Sequence, residues 1–137
     1  MLSRRHALLG LLIASTTICD VRLSFARGAR PVSFAAIDRN RDGLLDLDEV
    51  KRAAGLLFDQ LDAGRTGKLT RAQLGRHRIT AAQFKAADSD HSGTLTKAEF
   101  LTLVEQQFRA ADTDHDGTLS RAEFESRNAL PLRRLIH

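Results

Sequence analysis

The sequence predicts an all-α fold in which helices join four short loops of one repeated design. A twelve-residue segment that opens with Asp and carries Gly at its sixth position occurs four times in the 137 residues. Apolar residues at helical spacing fill the chain between these segments, and a Phe stands four residues before each opening Asp. The segments, called loops 1 to 4, are Asp38–Glu49, Asp62–Gln73, Asp88–Glu99 and Asp112–Glu123.

Helices are predicted to begin near the tenth position of each loop and to run to the next opening Asp. The predicted helices are Pro31–Ile37, Leu47–Leu61, Arg71–Ala87, Lys97–Ala111 and Arg121–Arg127. The buried stripe of the second of these comprises Val50, Ala53, Ala54, Leu57, Phe58 and Leu61. The helix after loop 2 is expected to break at Gly75, because Thr80 and Gln83 then form a capping-box pattern. Such a break would divide the chain into an N-terminal and a C-terminal pair of loops.

The loops carry oxygen-bearing side chains at alternate positions, which is typical of a calcium site. Calcium takes about six to eight oxygens, so a loop that wraps it needs alternating carboxylates, a backbone carbonyl and a closing Glu that binds through both oxygens. The sixth position must turn sharply, and Gly reaches positive φ without a steric clash. The glycines at this position are Gly43, Gly67, Gly93 and Gly117.

The expected ligands follow from these positions in three of the loops. Loop 1 supplies Asp38, Asn40, Asp42, the carbonyl of Leu44, Asp46 and Glu49. Loop 3 supplies Asp88, Asp90, Ser92, the carbonyl of Thr94, Thr96 through water, and Glu99. Loop 4 supplies Asp112, Asp114, Asp116, the carbonyl of Thr118, Ser120 and Glu123. Loop 2 is degenerate and is expected to be empty or very weak, because Gly64 has no side-chain oxygen and Gln73 replaces the closing Glu. We therefore expect about three Ca²⁺ ions per chain.

These residues resemble the EF-hand superfamily of calmodulin-like proteins, in its secreted bacterial type, whose loops follow D-x-[DN]-x-[DN]-G-x5-E. The resemblance covers residues 30 to about 128. It includes Phe34, Phe58, Phe84 and Phe108 before the loops and Val50, Leu74, Phe100 and Phe124 after them. It implies helix-loop-helix repeats that bind calcium, with His91 and His115 at the fourth position facing solvent.

The short spacing between loops departs from that family. Only 12, 14 and 12 residues separate consecutive loops, and an unbroken helix of about 15 residues is about 22 Å long. Consecutive loops would then lie at opposite ends of a helix, so we expect loops 1 and 3 to be neighbours, and likewise loops 2 and 4. Pairing of consecutive loops through Leu45, Leu69, Leu95 and Leu119 is disfavoured.

Composition and motifs argue against an enzyme and against nucleic-acid binding. The chain has no Ser/His/Asp set, His/Glu pair or Gly loop suited to phosphate. The formal net charge is +4, but the acids lie mainly in the loops while the Arg residues are scattered over predicted helices. This favours solvated helix faces over a nucleic-acid groove. Arg133 and Arg134 could touch an acidic membrane surface, although a frayed end after Pro131 is the favoured interpretation.

Residues 1–26 are interpreted as a signal peptide. A charged stretch with Arg4 and Arg5 precedes an apolar run over 8–18, and Ser24 and Ala26 form a small-x-small cleavage site. The run is too short to span a bilayer. Cleavage after Ala26 leaves residues 27–137 as a periplasmic or secreted domain with no stable membrane span. A buried N-terminal helix or an uncleaved anchor is the alternative.

The export route stays open between the general secretory and the twin-arginine pathways, because Arg4 and Arg5 suit both. Cys19, the only cysteine, is expected to leave with the signal, so no disulfide supports the mature chain. Two functional classes remain: a calcium sensor or buffer, and a calcium-stabilised structural or adaptor module that binds a protein partner. The sequence identifies no partner.

The signal peptide gives the first prediction. Because the charged, apolar and cleavage regions are all present, the intact mass of protein recovered from the cell envelope should match a chain that begins at Arg27. Recovery of full-length protein from the cytosol would contradict it.

Overall fold

The structure, a computed structural model, describes residues 33–137. The predicted signal peptide lies outside the described residues. The described residues form helices α1 (Phe34–Ile37), α2 (Leu47–Leu61), α3 (Arg71–Leu74), α4 (Ala81–Ala87), α5 (Lys97–Ala111), α6 (Arg121–Glu125) and α7 (Leu130–Leu135). Short strands β1 (Leu44–Asp46), β2 (Lys68–Thr70), β3 (Thr94–Thr96) and β4 (Thr118–Ser120) each precede a helix. The chain is thus helix-rich, as predicted, with small strand pairs added.

The long helices α2 and α5 begin and end at the predicted residues. In α2 the Asp46 side chain accepts the Glu49 N–H at 2.7 Å, and the Glu49 carboxylate accepts the Asp46 N–H in return. This capping box satisfies backbone donors that a helix start leaves unpaired. At the other end the Asp62 N–H still donates to Phe58, but Asp62 itself has left the helical conformation (ψ 61°). The loop residues therefore both start and stop the helix.

The predicted break after loop 2 is confirmed. Helix α3 ends at Gly75, which has φ +81°, and α4 begins after Thr80, whose hydroxyl accepts the Gln83 N–H at 3.2 Å. Residues 75–80, called the connector, turn the chain between the two helices. The break does not separate two pairs of loops as expected. Instead it brings loops 2 and 3 together.

The strands show how the loops pair. Strand β1 runs antiparallel to β4, with Leu45 opposite Leu119, and β2 runs antiparallel to β3, with Leu69 opposite Leu95. All four Leu side chains are fully buried. The expected pairing of loop 1 with loop 3, and of loop 2 with loop 4, is therefore wrong. Loop 1 pairs with loop 4, and loop 2 with loop 3, so the pairing of consecutive loops that was disfavoured does occur between loops 2 and 3.

Antiparallel packing of α2 against α5 is the physical reason for this pairing. Lys51, near the start of α2, bonds to Glu105 in the second half of α5 at 2.7 Å. Asp59, near the end of α2, bonds to Lys97 at the start of α5 at 2.8 Å. The start of α2 therefore lies beside the end of α5, which places loop 1 beside loop 4. The expectation failed because the pairing argument used the length of an unbroken helix for residues 71–87, although a break at Gly75 was predicted separately.

One hydrophobic core lies between the loops and the helices. The rings of Phe58 and Phe100 meet across α2 and α5 at a centroid distance of 5.7 Å. Phe34 and Phe124 form a second pair at 5.7 Å with an interplanar angle of 74°. Every Phe that precedes a loop and every apolar residue that follows one is buried, as the repeat requires.

The C-terminal segment is a helix, and the expected frayed end after Pro131 is wrong. Pro131 lies in the first turn of α7, where its fixed φ suits a helix and its missing N–H costs nothing. Leu132, Leu135 and Ile136 are buried in the core. Within residues 33–137, no helix is long and apolar enough to cross a membrane.

Candidate metal centres

The four loops follow one backbone path. The fourth position has φ between 50° and 60° in every loop, at Arg41, Arg65, His91 and His115. The sixth-position glycines have φ between 73° and 86°. A Cβ at these glycines would meet nothing within 4 Å, so the φ angle and not space favours glycine. His91 and His115 are exposed, as predicted.

The opening Asp of each loop is buried and holds the turn from inside. The four residues are between 6% and 9% exposed. One carboxylate oxygen of each, Oδ2, accepts the N–H of the sixth-position glycine at distances from 2.6 to 3.1 Å. This bond is present in loop 2 as well, so it folds the loop whether or not other acids are present.

The other oxygen of the same carboxylate, Oδ1, distinguishes the loops. In Asp38 and Asp112 it is buried and has no hydrogen-bond donor among residues 33–137. In Asp62 it accepts both the N–H and the hydroxyl of Thr66, at 2.8 and 2.9 Å. In Asp88 it accepts the Ser92 N–H at 2.9 Å.

Burial of an unpartnered anionic oxygen is costly, and a bound cation removes that cost. Loops 1 and 4 therefore fit a cation beside Oδ1 of the opening Asp. Loop 2 already supplies that oxygen with two donors, so it needs no ion there. Loop 3 is intermediate, because its opening Asp has one donor on Oδ1.

Three of the predicted ligands lie close together in each of loops 3 and 4. Carboxylate oxygens of Asp112, Asp114 and Asp116 lie within 4.8 Å of one another in loop 4. Asp88, Asp90 and Glu99 meet the same criterion in loop 3. Like charges this close repel, and an oxygen-rich cluster of this kind suits a hard divalent cation.

Loop 1 forms no such triplet within the described part of the chain. Its Asn40 side chain donates to Asp42 Oδ2 at 2.8 Å and accepts the Asp42 N–H at 3.0 Å. Asp42 Oδ1 accepts the Leu44 N–H at 2.8 Å. These predicted ligands are thus linked to one another on the exposed side of the loop, while Asp38 lies buried below them.

The closing Glu of loop 4 reaches back across the loop. Glu123 Oε1 accepts the N–H and the hydroxyl of Thr113, both at 3.0 Å. Its Oε2 accepts the N–H and the hydroxyl of Ser120, at 3.0 and 2.8 Å. These donors, above all the Ser120 N–H, lower the pKa of Glu123 to about 2. The carboxylate is therefore charged at neutral pH, and a cation would take the acceptor positions that the Thr113 and Ser120 hydroxyls use, since a hydroxyl can rotate away.

The closing Glu of loops 1 and 3 also reaches back across its loop to accept hydrogen bonds. Glu99 accepts from Ser89 and Thr96, and the Ser89 hydroxyl is the largest cause that lowers the pKa of Glu99 to about 2. Glu49 is buried, and its Oε1 accepts the Arg39 N–H at 2.8 Å. All three closing Glu residues are thus held across their loops by backbone donors.

Sequence reasoning missed the residues at the second position. Ser89 and Thr113 donate their hydroxyls to Glu99 and Glu123 at 2.7 and 3.0 Å. The sequence feature that could have indicated this contact is a hydroxyl residue at the second position of both loops 3 and 4. The predicted ninth-position ligands Asp46, Thr96 and Ser120 serve as N-caps of α2, α5 and α6.

Loop 2 keeps its shape with one acid, Asp62, and neutral side chains. The Gln73 amide oxygen accepts the N–H and the hydroxyl of Thr70, both at 2.9 Å, so it reproduces the capping role of the closing Glu. The pKa of Asp62 is lowered chiefly by the Thr66 N–H. Together with the Asp62–Gly67 bond, these contacts close the loop without a second acid.

The closing residues give the second prediction. Because Glu123 offers two charged oxygens and Gln73 only caps a helix, Glu123→Gln should remove one calcium equivalent in a calorimetric titration, while Gln73→Ala should leave the stoichiometry unchanged. Glu125→Gln is the matched control, since Glu125 is an exposed residue of α6 outside the loop. An equal loss of calcium affinity in Gln73→Ala and Glu123→Gln would show that loop 2 is not empty.

Comparison with known families agrees with this geometry. The sequence model of the EF hand matches residues 32–54, 80–104 and 103–126, which contain loops 1, 3 and 4. The matches leave out residues 62–73. Comparison with curated proteins gives no match. The matched stretches cover about half of the chain, and calcium is the ion that this family implies. The chain therefore belongs to the EF-hand family.

Proposed function

We propose that this protein binds calcium through loops 1, 3 and 4 and keeps loop 2 as a fourth hand that needs no ion. One observation carries the proposal: Oδ1 of the buried opening Asp has no hydrogen-bond donor among the described residues in loops 1 and 4, whereas in loop 2 it accepts the N–H and the hydroxyl of Thr66. The four loops can be compared directly with one another, because they share one backbone path and differ in their side chains.

The donor set suits calcium chemically. In loop 4 the groups that would hold the ion are Asp112, Asp114, Asp116 and Glu123, with the Thr118 carbonyl. All four side chains are carboxylates, and oxygen-only coordination by several carboxylates is typical of calcium sites. The ion would neutralise their mutual repulsion and satisfy the buried Asp112 oxygen. Members of this family are typically calcium-binding proteins and not enzymes.

Pairing supports cooperation between loops 1 and 4. The two loops with unpartnered buried oxygens are neighbours, joined through β1 and β4 with Leu45 opposite Leu119. An ion that orders one loop fixes one strand of this pair, which lowers the entropy cost of ordering the other loop. We therefore propose that loops 1 and 4 fill together and ahead of loop 3, which pairs with the ion-free loop 2.

Two roles are compatible with such binding. We propose a sensor or buffer, in which calcium changes helix packing. The alternative is a structural or adaptor module, and one feature favours it. A strand pair joins the loops at each end of the antiparallel helices α2 and α5, so these two helices resist moving apart at one end alone. Calcium-dependent binding of a hydrophobic dye would support the sensor, whereas stabilisation without dye binding would support the module.

We further propose that the protein works outside the cytosol, in the periplasm or as a secreted protein. The support is the N-terminal sequence pattern of residues 1–26. Compartments with abundant calcium tolerate weak sites, so this location is compatible with loop 3, whose neutral Ser92 and Thr96 replace acids. The mass measurement that tests cleavage before Arg27 also tests this proposal.

The third prediction joins stoichiometry to stability. Calorimetric titration of chelator-treated residues 27–137 should give about three calcium ions per chain, with loops 1 and 4 ahead of loop 3. An ion that binds only the folded state adds about 2.7 kcal/mol per site at a hundredfold excess over its Kd. The melting temperature should therefore rise strongly with calcium, and less with magnesium, which demands a stricter octahedral geometry. No heat and an unchanged melting temperature at millimolar calcium would contradict the proposal.

A further inference from the structure

Positive charge is concentrated in two segments outside the metal-binding loops. Residues 63–87 contain six Lys and Arg and no Asp or Glu. Residues 126–137 contain three Arg and likewise no acid. The acids of the described chain therefore lie elsewhere, mainly in loops 1, 3 and 4, and these two segments have no acid of their own to neutralise them.

The fold brings the two segments together. The connector 75–80 packs beside α7, and Arg78 Nε donates to the main-chain oxygen of His137 at 2.7 Å. Between them lies a cavity of about 320 Å³. Its lining consists of His77, Arg78, Leu130, Arg133, Arg134 and His137. A smaller cavity of about 130 Å³ shares His77, Arg78 and Arg134 with it and adds Arg76. Neither lining includes an Asp or Glu side chain.

The guanidinium groups here are short of anionic partners. Arg133 Nε is buried and has no acceptor among the described residues. Within residues 33–137, Arg76, Arg133 and Arg134 form no ion pair, and the acceptors that Arg78 uses are main-chain oxygens. Burial, followed by the charges of Arg133 and Arg78, lowers the pKa of His137. Three Arg side chains thus line the cavity, and no Asp or Glu side chain of the described residues lines it with them.

We propose that this cavity binds the phosphate group of a phosphomonoester. Guanidinium groups match phosphate oxygens with paired hydrogen bonds, and a doubly charged anion compensates several of them at once. The volume lies at the small end of ligand sites, which span about 300–1,000 Å³. Leu130, which is 39% exposed, provides an apolar wall for the group that carries the phosphate. A soluble phosphate ester and a lipid headgroup share this chemistry.

The test is a titration of the calcium-loaded protein with phenyl phosphate, followed by backbone amide resonances in NMR, with phenol as the neutral control. We expect saturable shifts at residues 76–79 and 132–137 with phenyl phosphate only. Arg133→Gln/Arg134→Gln should weaken binding at least about tenfold, because two charge-assisted bonds are lost. The matched control, Arg52→Gln/Arg71→Gln, removes the same charge from exposed helix positions outside both cavities and should bind as the native protein does.

A second variant and a vesicle assay keep the test decisive. Arg133 is half-buried, so Arg134→Gln alone, at an exposed position, should still weaken binding several-fold if the double variant fails to fold. The vesicle assay measures sedimentation of the protein with vesicles of phosphatidic acid, with phosphatidylcholine vesicles as the control. If the protein binds phosphatidic acid in a way that requires Arg134 but does not bind phenyl phosphate, the phosphate that the cavity recognises belongs to a lipid headgroup. The proposal is overturned if neither probe binds, if the control variant loses as much, or if shifts occur only in loops 1, 3 and 4, where phosphate would be acting on calcium.

Discussion

A buried carboxylate that holds the N–H of a glycine is the interaction on which each loop depends. It fixes the turn at the sixth position with one oxygen and leaves the other oxygen to be satisfied within the protein or by an ion. Thr66 satisfies it in loop 2, the Ser92 N–H does so in loop 3, and Asp38 and Asp112 find no donor among the described residues. The same loop geometry therefore leaves the opening Asp without a second donor in loops 1 and 4, with one in loop 3 and with two in loop 2. In every loop the carboxylate of this Asp is buried, so a missing donor is costly unless a cation binds.

The loops also organise the helices. Each loop ends in a capping pair that starts the next helix, so α2 and α5 each run between two loops and must place those loops at opposite ends. Antiparallel packing then puts loop 1 beside loop 4 and loop 2 beside loop 3. Loop 2, whose one acid is Asp62, pairs with loop 3, and loops 1 and 4, which have the unpartnered oxygens, pair with each other. The strand pairs β1–β4 and β2–β3 therefore link the stability of the fold to ion binding in the loops.

Much of this could be predicted from sequence, because the repeat sets both loop chemistry and helix limits. The bounds of α2 and α5 and the break at Gly75 were predictable from local rules, and the exposure of His91 and His115 from the resemblance to the EF-hand superfamily. The pairing of loops was not, since it depends on which way two helices pack, and that is decided by non-local contacts such as Phe58 with Phe100. The helix at Pro131 was missed because Pro131 was interpreted as the end of ordered structure, whereas a Pro in the first turn also suits the start of a helix. The donors on Asp Oδ1 are likewise visible only in three dimensions.

The most direct test of the central claim is a crystal structure of the calcium-loaded protein with anomalous difference density measured for calcium. If the unpartnered oxygen of the opening Asp decides where an ion is needed, peaks should lie about 2.3–2.6 Å from side-chain oxygens of Asp38 and Asp112, and none should lie beside Asp62, whose oxygens are already held by Thr66 and Gly67. A peak beside Asp62, or no peak beside Asp112, would contradict the account.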